Sequence, residues 1–156
     1  MREKNYLALF AKTFKWAGFF LPKNIYYDCS KVYAFCRVLD DLVDEKINLD
    51  LRIQRFNNIR NTFEIAYKQD DNDIKLKNQT EWESIVNKMI LIADNNNIKK
   101  IILDDLFEGV GSDLKSKVFL KSIKDLLLYS YRVAGTVGLM MANILNVKDS
   151  RSLKGA

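Results

Sequence analysis

Three observations predict an all-α fold. Apolar residues recur at helical intervals along most of the 156-residue chain, and no stretch alternates apolar with polar as a half-buried strand does. Two helix-start signatures, Thr80 with Glu83 and Ser122 with Asp125, stand just ahead of apolar-periodic runs. No internal repeat, Walker loop or dinucleotide-binding glycine fingerprint competes with this reading. The length suits one domain, residues 1–156, with a single helical core.

Composition narrows the function classes. The formal charge is +5, from 25 basic and 20 acidic residues, but the lysines are scattered and no basic block interleaves with aromatics. Nucleic acid is therefore not an expected partner, and the excess is a mild preference for anionic surfaces. Histidine is absent, which removes the commonest general base and the commonest transition-metal ligand. Chemistry must then rest on carboxylates, tyrosines, arginine or a metal. Cys29 and Cys36 fall on one side of a helix and read as small core hydrophobes in a reducing cytosol. The start, Met1 to Asn5, carries no signal-peptide hydrophobic region, and the uncharged run 133–147 is too short to span a membrane.

In chain order, residues 5–11 make a short opening helix, and Lys12, Thr13 and Phe14 lead into the apolar run 16–21, which Pro22 closes. A central helix follows over about 24–46. Asp50 is the expected N-cap of the next helix, with Leu51, Ile53, Phe56, Ile59 and Phe63 as its apolar face. Residues 69–79 are polar and read as a surface loop. The Thr80–Glu83 capping box opens a helix with Trp82, Ile85, Val86, Met89 and Ile90, which stops at Asn95, Asn96 and Asn97. The next helix begins near Ile98 and carries Ile101, Ile102, Leu106 and Phe107 towards Gly109, Gly111 and Asp113. A last long helix runs from Ser122 to about Asn146, with a small-residue stripe of Ala134, Gly138 and Ala142.

The central helix carries the chemistry. Tyr33, Arg37, Asp40 and Asp44, spaced four, three and four, place a phenol, a guanidinium and two carboxylates along one face, with Asp41 and Glu45 beside them. The remaining positions are apolar nearly all round, so the helix is expected to lie among others with its acids facing an interior cavity. Four acids near a helix C-terminus oppose the macrodipole, and a bound cation would offset that cost. Carboxylates one turn apart, without imidazole or thiolate, suit a hard ion such as Mg2+ that shares its sites with phosphate oxygens. Read alone, the same acids also fit a solvated helix end.

Tyr33-Ala-Phe-Cys-Arg37 followed by Asp40-Asp41-Leu-Val-Asp44 resembles the first aspartate-rich motif of the squalene and phytoene synthases, the head-to-head prenyl transferases. Lys12-Thr13-Phe14 is similar to the family's Lys-Ser-Phe, Gly109 to Leu114 to its Gly-Met-x-x-Asp-Leu, and Tyr129 to Gly138 to its Tyr-x-Tyr-x-Val-Ala-Gly-x-Val-Gly. Two departures are Val110 in place of Met, and Tyr26 where members often carry Arg.

The resemblance implies the helical isoprenoid synthase fold, here its N-terminal helices only. It implies Mg2+, with Mn2+ as a substitute, on Asp40 and Asp44, supported by Asp41. Arg37, Lys12 and Thr13 would hold diphosphate oxygens, and Tyr33 and Tyr129 would line the reacting region. Phe14, Asp113, Val133, Ala134 and Gly138 would contact substrate. The implied reaction joins two prenyl diphosphates, with geranylgeranyl diphosphate to phytoene expected ahead of farnesyl diphosphate to dehydrosqualene or squalene. A non-catalytic family member acting as an assembly or binding module is the alternative from another class. Intact members carry a second aspartate motif beyond the point where this sequence stops, so the 156 residues alone are expected to be inactive. The expected partner is a prenyl diphosphate. No partner protein is indicated, and the expected location is the cytoplasm, with peripheral association at the inner membrane face left open.

Overall fold

A computed structural model of the chain describes residues 18–68, 80–114 and 120–147, with only the backbone of Glu81. Every regular element among the described residues is helical: α1 (Lys23–Asp44), α2 (Leu49–Lys68), α3 (Glu81–Asn95), α4 (Lys100–Ser112), α5 (Ile123–Ser130), a π turn (Tyr131–Gly135) and α6 (Thr136–Ile144). The expected opening helix, Lys12, Thr13, Phe14 and the 69–79 loop lie outside the described residues.

α1 is the axis of the bundle, packed against α2, α3, α4 and α6. Its core face is Cys29, Val32, Phe35, Val38, Leu39, Leu42 and Val43, a helical stripe that recurs at three- and four-residue intervals. Opposite it stand Phe56, Ile59 and Phe63 of α2, Val86 and Met89 of α3, and Leu103, Leu106 and Phe107 of α4. Phe107 is the hub, with ring centroids 5.9 Å from Phe35, 6.0 Å from Phe56 and 5.2 Å from Phe63. Truncating such a buried ring to Ala costs about 3–5 kcal/mol. Both cysteines are free; Cys29 is buried and Cys36 half-buried, and burial pushes both thiols up, as expected of packing residues.

The capping signatures are realised. The Thr80 hydroxyl accepts from the Glu83 N–H at 3.2 Å while the Glu83 carboxylate accepts from the Thr80 N–H at 2.9 Å. The Ser122 hydroxyl accepts from the Asp125 N–H at 3.1 Å. α3 and α6 both end on asparagine in the left-handed region, Asn97 at φ 55° and Asn146 at φ 54°. At each end the following N–H reaches back to the helix, Ile98 to Ala93 at 2.8 Å and Val147 to Ala142 at 3.0 Å, so Asn takes the place glycine usually holds.

Four expectations are corrected. Asn48, not Asp50, caps α2: its side-chain oxygen accepts from the Asp50 N–H at 2.8 Å, which places Asp50 inside the first turn. Leu51 and Ile101 are exposed, because each sits at the edge of its stripe and rotates away from the core. The last helix is not uniform, since the π turn widens it at residues 131–135. The small-residue stripe is broken by that turn: Ala134 is exposed, Gly138 half-buried and Ala142 buried, because the extra residue in a π turn shifts the faces that follow it.

Candidate functional site

The site lies at the C-terminal end of α1, where the ends of α4 and α5 close on it. On α1, Arg37 reaches forward to two acids, with one guanidinium nitrogen 3.1 Å from Asp40 and the other 2.6 Å from Asp41. Helical spacing of three and four makes that fork possible. Tyr33 is half-buried one turn earlier, and Asp44 is exposed one turn later. The acids therefore face a rim open to solvent rather than the closed interior expected, for the Asp40 side chain is 50% exposed.

The cost of gathering acids at this helix end is partly met from α2. Arg52 donates to the Val43 carbonyl at 2.5 Å, satisfying a terminal carbonyl of α1, and Arg55 pairs with Glu45 at 2.6 Å. These two arginines were invisible to a reading of α1 alone, because they arrive from the next helix.

Asp113 stands just past the end of α4, and Tyr129 stands near the end of α5. The Tyr129 hydroxyl donates to both carboxylate oxygens of Asp113, at 3.0 and 3.2 Å. Burial raises the Asp113 carboxyl above the ordinary aspartate range, the Tyr129 hydrogen bond opposes that shift, and the charge of Asp44 adds to it. Burial likewise raises the Tyr129 phenol, followed by Asp113 and then the charges of Asp40 and Asp44. Asp40 is raised by burial and by Asp44, against the lowering effect of Arg37. Asp40, Asp44, Asp113 and Tyr129, drawn from three helices, thus share one electrostatic neighbourhood in which the phenol stays protonated and donates.

Close helix contact sets this geometry. A Cβ on Gly109 would lie 2.7 Å from Cβ of Arg132, 3.0 Å from its carbonyl carbon and 3.1 Å from Cγ1 of Val133. Only glycine lets α4 approach the π turn so closely. Gly111 admits the edge of Phe56 in the same way, 2.9 Å from where a Cβ would sit. The turn itself is held by the Thr136 hydroxyl, which donates to the Arg132 carbonyl at 2.8 Å, and by Asp105 of α4. That carboxylate accepts from the Tyr131 hydroxyl at 3.2 Å and lies 3.8 Å from Nε of Arg132. Asp105, Tyr131, Arg132 and Thr136 were not singled out from the sequence. The available signal was that three of them fall within the Tyr129–Gly138 segment. Of the residues expected to contact substrate, Val133 packs against Gly109, while Ala134 is exposed and Gly138 half-buried.

Among the described residues no group of three or more carboxylate or cysteine side chains is gathered closely enough to hold a metal ion. Asp40 and Asp44 nevertheless fit one edge of a hard-cation site, being all-oxygen donors one turn apart. Among the described residues no helix is long and apolar enough to cross a membrane.

Known proteins agree with the motifs. Residues 7–155 match the family described as squalene/phytoene synthase. The bifunctional lycopene cyclase/phytoene synthase of Gibberella fujikuroi is 31% identical over 127 residues, covering 76% of this chain and 22% of that protein. The 15-cis-phytoene synthases of Paracoccus sp. and Pantoea ananas are each 27% identical, over 94% and 96% of this chain and 47% and 48% of their own lengths. The chain thus spans less than half the length of these curated relatives. With a match that runs through all three described segments and takes in the acidic end of α1, Asp113 and Tyr129, the chain belongs to the squalene/phytoene synthase family.

Proposed function

We propose that this chain supplies the diphosphate-ionising part of a head-to-head prenyl transferase that joins two geranylgeranyl diphosphates to phytoene. The observation that carries the reading is the convergence of Asp40 and Asp44 with the Asp113–Tyr129 pair at one end of the bundle. The matched relatives named as phytoene synthases favour the same direction.

In this reading Asp40 and Asp44 hold Mg2+, or Mn2+ in its place, with Asp41 in support. When bound, the ion neutralises charge on the departing diphosphate. Arg37 exchanges Asp40 and Asp41 for diphosphate oxygens, which its planar fork matches. Lys12 and Thr13 add donors to the same group, and Phe14 adds apolar contact. Tyr33 and Tyr129 flank the reacting carbons, and Asp113 fixes the Tyr129 hydroxyl. Val133, Ala134 and Gly138 form apolar wall, which excludes water from carbocations that it would quench. Because the chain spans less than half the length of the matched relatives, turnover is expected only when it is joined to the remainder, and the 156 residues alone are expected to be inactive.

One observation favours a second reading, a non-catalytic binding module: Arg37 is already paired with Asp40 and Asp41, and Arg52 of α2 already satisfies a terminal carbonyl of the acidic end. The test joins this chain to the C-terminal portion of the Pantoea ananas relative and supplies geranylgeranyl or farnesyl diphosphate, with and without NADPH. Phytoene from the longer substrate without NADPH is the expected product. A saturated central bond formed only with NADPH means squalene chemistry and overturns the assignment. Absence of both product and Mg2+-dependent diphosphate binding supports the binding module.

A further inference from the structure

We propose that Asp105 is a positioning residue that clamps the π turn to α4 and thereby holds Tyr129 beside the acids of α1. Its role rests on the prenyl transferase reading proposed above, in which Tyr129 flanks the reacting carbons. α5, which carries Tyr129, has no buried residue, so core packing does not fix its place. Tyr129 is held instead by its hydrogen bonds to Asp113 and by the π turn, which begins two residues later. π turns are rare and recur at functional sites, where the widened turn re-aims the side chains beside it. What anchors this turn therefore also sets the phenol.

Asp105, Gly109 and Asp113 are spaced four apart and form one stripe along α4 and its C-cap. All three meet the chain between Tyr129 and Val133. Asp113 accepts from Tyr129, Gly109 lies against Arg132 and Val133, and Asp105 meets Tyr131 and Arg132. Asp105 and Asp113 are thus polar anchors roughly 12 Å apart along the helix axis, with the glycine contact between them. The two oxygens of Asp105 take different partners: one accepts from the Tyr131 hydroxyl at 3.2 Å, and the other lies 3.8 Å from Nε of Arg132. Among the described residues that Nε is buried without a hydrogen bond, and the Asp105 charge offsets it. The Asp105 side chain is only 22% exposed, so water screens the pair in part. Removing this carboxylate deprives the turn of both polar ties to α4 and leaves Tyr129 with Asp113 alone. Asp105 stands two helical turns from Asp113, so it acts on the site through the turn and not by contact with the diphosphate.

The experiment uses this chain joined to the C-terminal portion of the Pantoea ananas relative, with tyrosine labelled with carbon-13 at Cζ. Tyr129→Phe identifies the Tyr129 resonance, and Asp113→Ala gives its position without the hydrogen bond. Asp105→Ala should move that resonance towards the Asp113→Ala position. With geranylgeranyl diphosphate it should lower kcat by about ten- to a hundredfold while KM stays within about twofold. Asp105→Asn keeps an acceptor for the Tyr131 hydroxyl but no charge for Arg132, and should fall between the parent and Asp105→Ala in both readouts. Glu64→Ala breaks a tie of similar exposure between α2 and α4, to Lys100 at 3.0 Å, and should leave both unchanged. Should Asp105→Ala lose helical circular dichroism, Asp105→Asn carries the same comparison. Four results overturn the proposal: a Tyr129 resonance that stays at the parent position, a shifted resonance with kcat unchanged, a loss that falls on KM alone, or equal losses in Glu64→Ala. If the joined parent makes no product, the prenyl transferase reading fails, and the Tyr129 resonance still decides whether Asp105 positions that ring.

Discussion

The Tyr129 hydroxyl donates to both oxygens of the Asp113 carboxylate, at 3.0 and 3.2 Å, and so ties the end of α4 to the end of α5 beside the acids of α1. Tyr129→Phe removes that donor and leaves a half-buried carboxylate without it. A loss of about 1 kcal/mol is expected in urea unfolding, with Asp113→Asn costing less because an amide oxygen still accepts from the phenol. Equal or larger loss in Asp113→Asn would show that the carboxylate charge, not the hydrogen bond, matters there.

Asp40 gives a pH prediction with a defined sign. Burial, then Asp44, raise its folded-state pKa above the ordinary aspartate value, against Arg37. The folded state therefore keeps this proton longer than the unfolded chain does. The resulting contribution is fully present below about pH 4 and is lost as pH rises through the folded pKa. Asp40→Asn should then stabilise at neutral pH by up to about 1 kcal/mol, a modest gain because the side chain is half-exposed and Arg37 keeps Asp41. Thermal unfolding from pH 3 to pH 7 should show the gain appear as pH rises. A gain of equal size at both ends would contradict the cause given.

Gly109→Ala tests the contact between α4 and the π turn. The new methyl would meet Cβ and the carbonyl carbon of Arg132, so backbone must shift. Destabilisation of about 1–3 kcal/mol is expected, together with loss of the Tyr129–Asp113 contact. A neutral effect on denaturant midpoint would mean that the two elements separate freely.

Much of this fold was legible in the sequence, for identifiable reasons. Both start signatures and the stripe of α1 depend on neighbours within one or two turns, and such local chemistry is readable from spacing. What failed depended on partners distant in sequence. Asp50 and Asn48 are both good caps, and only the chain path between α1 and α2 chose Asn48. Arg52 and Arg55, which meet the acidic end of α1, come from another helix and so could not be read from the spacing of α1. The π turn carries no periodicity of its own, and its close approach to α4, which Gly109 permits, joins segments distant in sequence. At the site, the motif spacing identified Asp113 and Tyr129 separately, but not their hydrogen bond.

α5 has no buried residue, and Ile123 and Leu127 are 77% and 64% exposed. An uncovered apolar face of this kind promotes association. The 156-residue chain should therefore self-associate in sedimentation velocity, and Ile123→Ser/Leu127→Ser should shift it towards monomer without loss of helicity. A monodisperse parent chain would contradict this expectation.

The central claim is that Asp40 and Asp44 serve a diphosphate through a divalent ion. It is tested most directly by titrating geranylgeranyl diphosphate into this chain joined to the C-terminal portion of a matched phytoene synthase, with Mg2+ and with chelator. The account predicts Mg2+-dependent binding that falls by at least about a hundredfold in Asp40→Asn/Asp44→Asn while the helical fold is retained. Binding of the double variant equal to that of the parent, or parent binding unaffected by chelator, would contradict it.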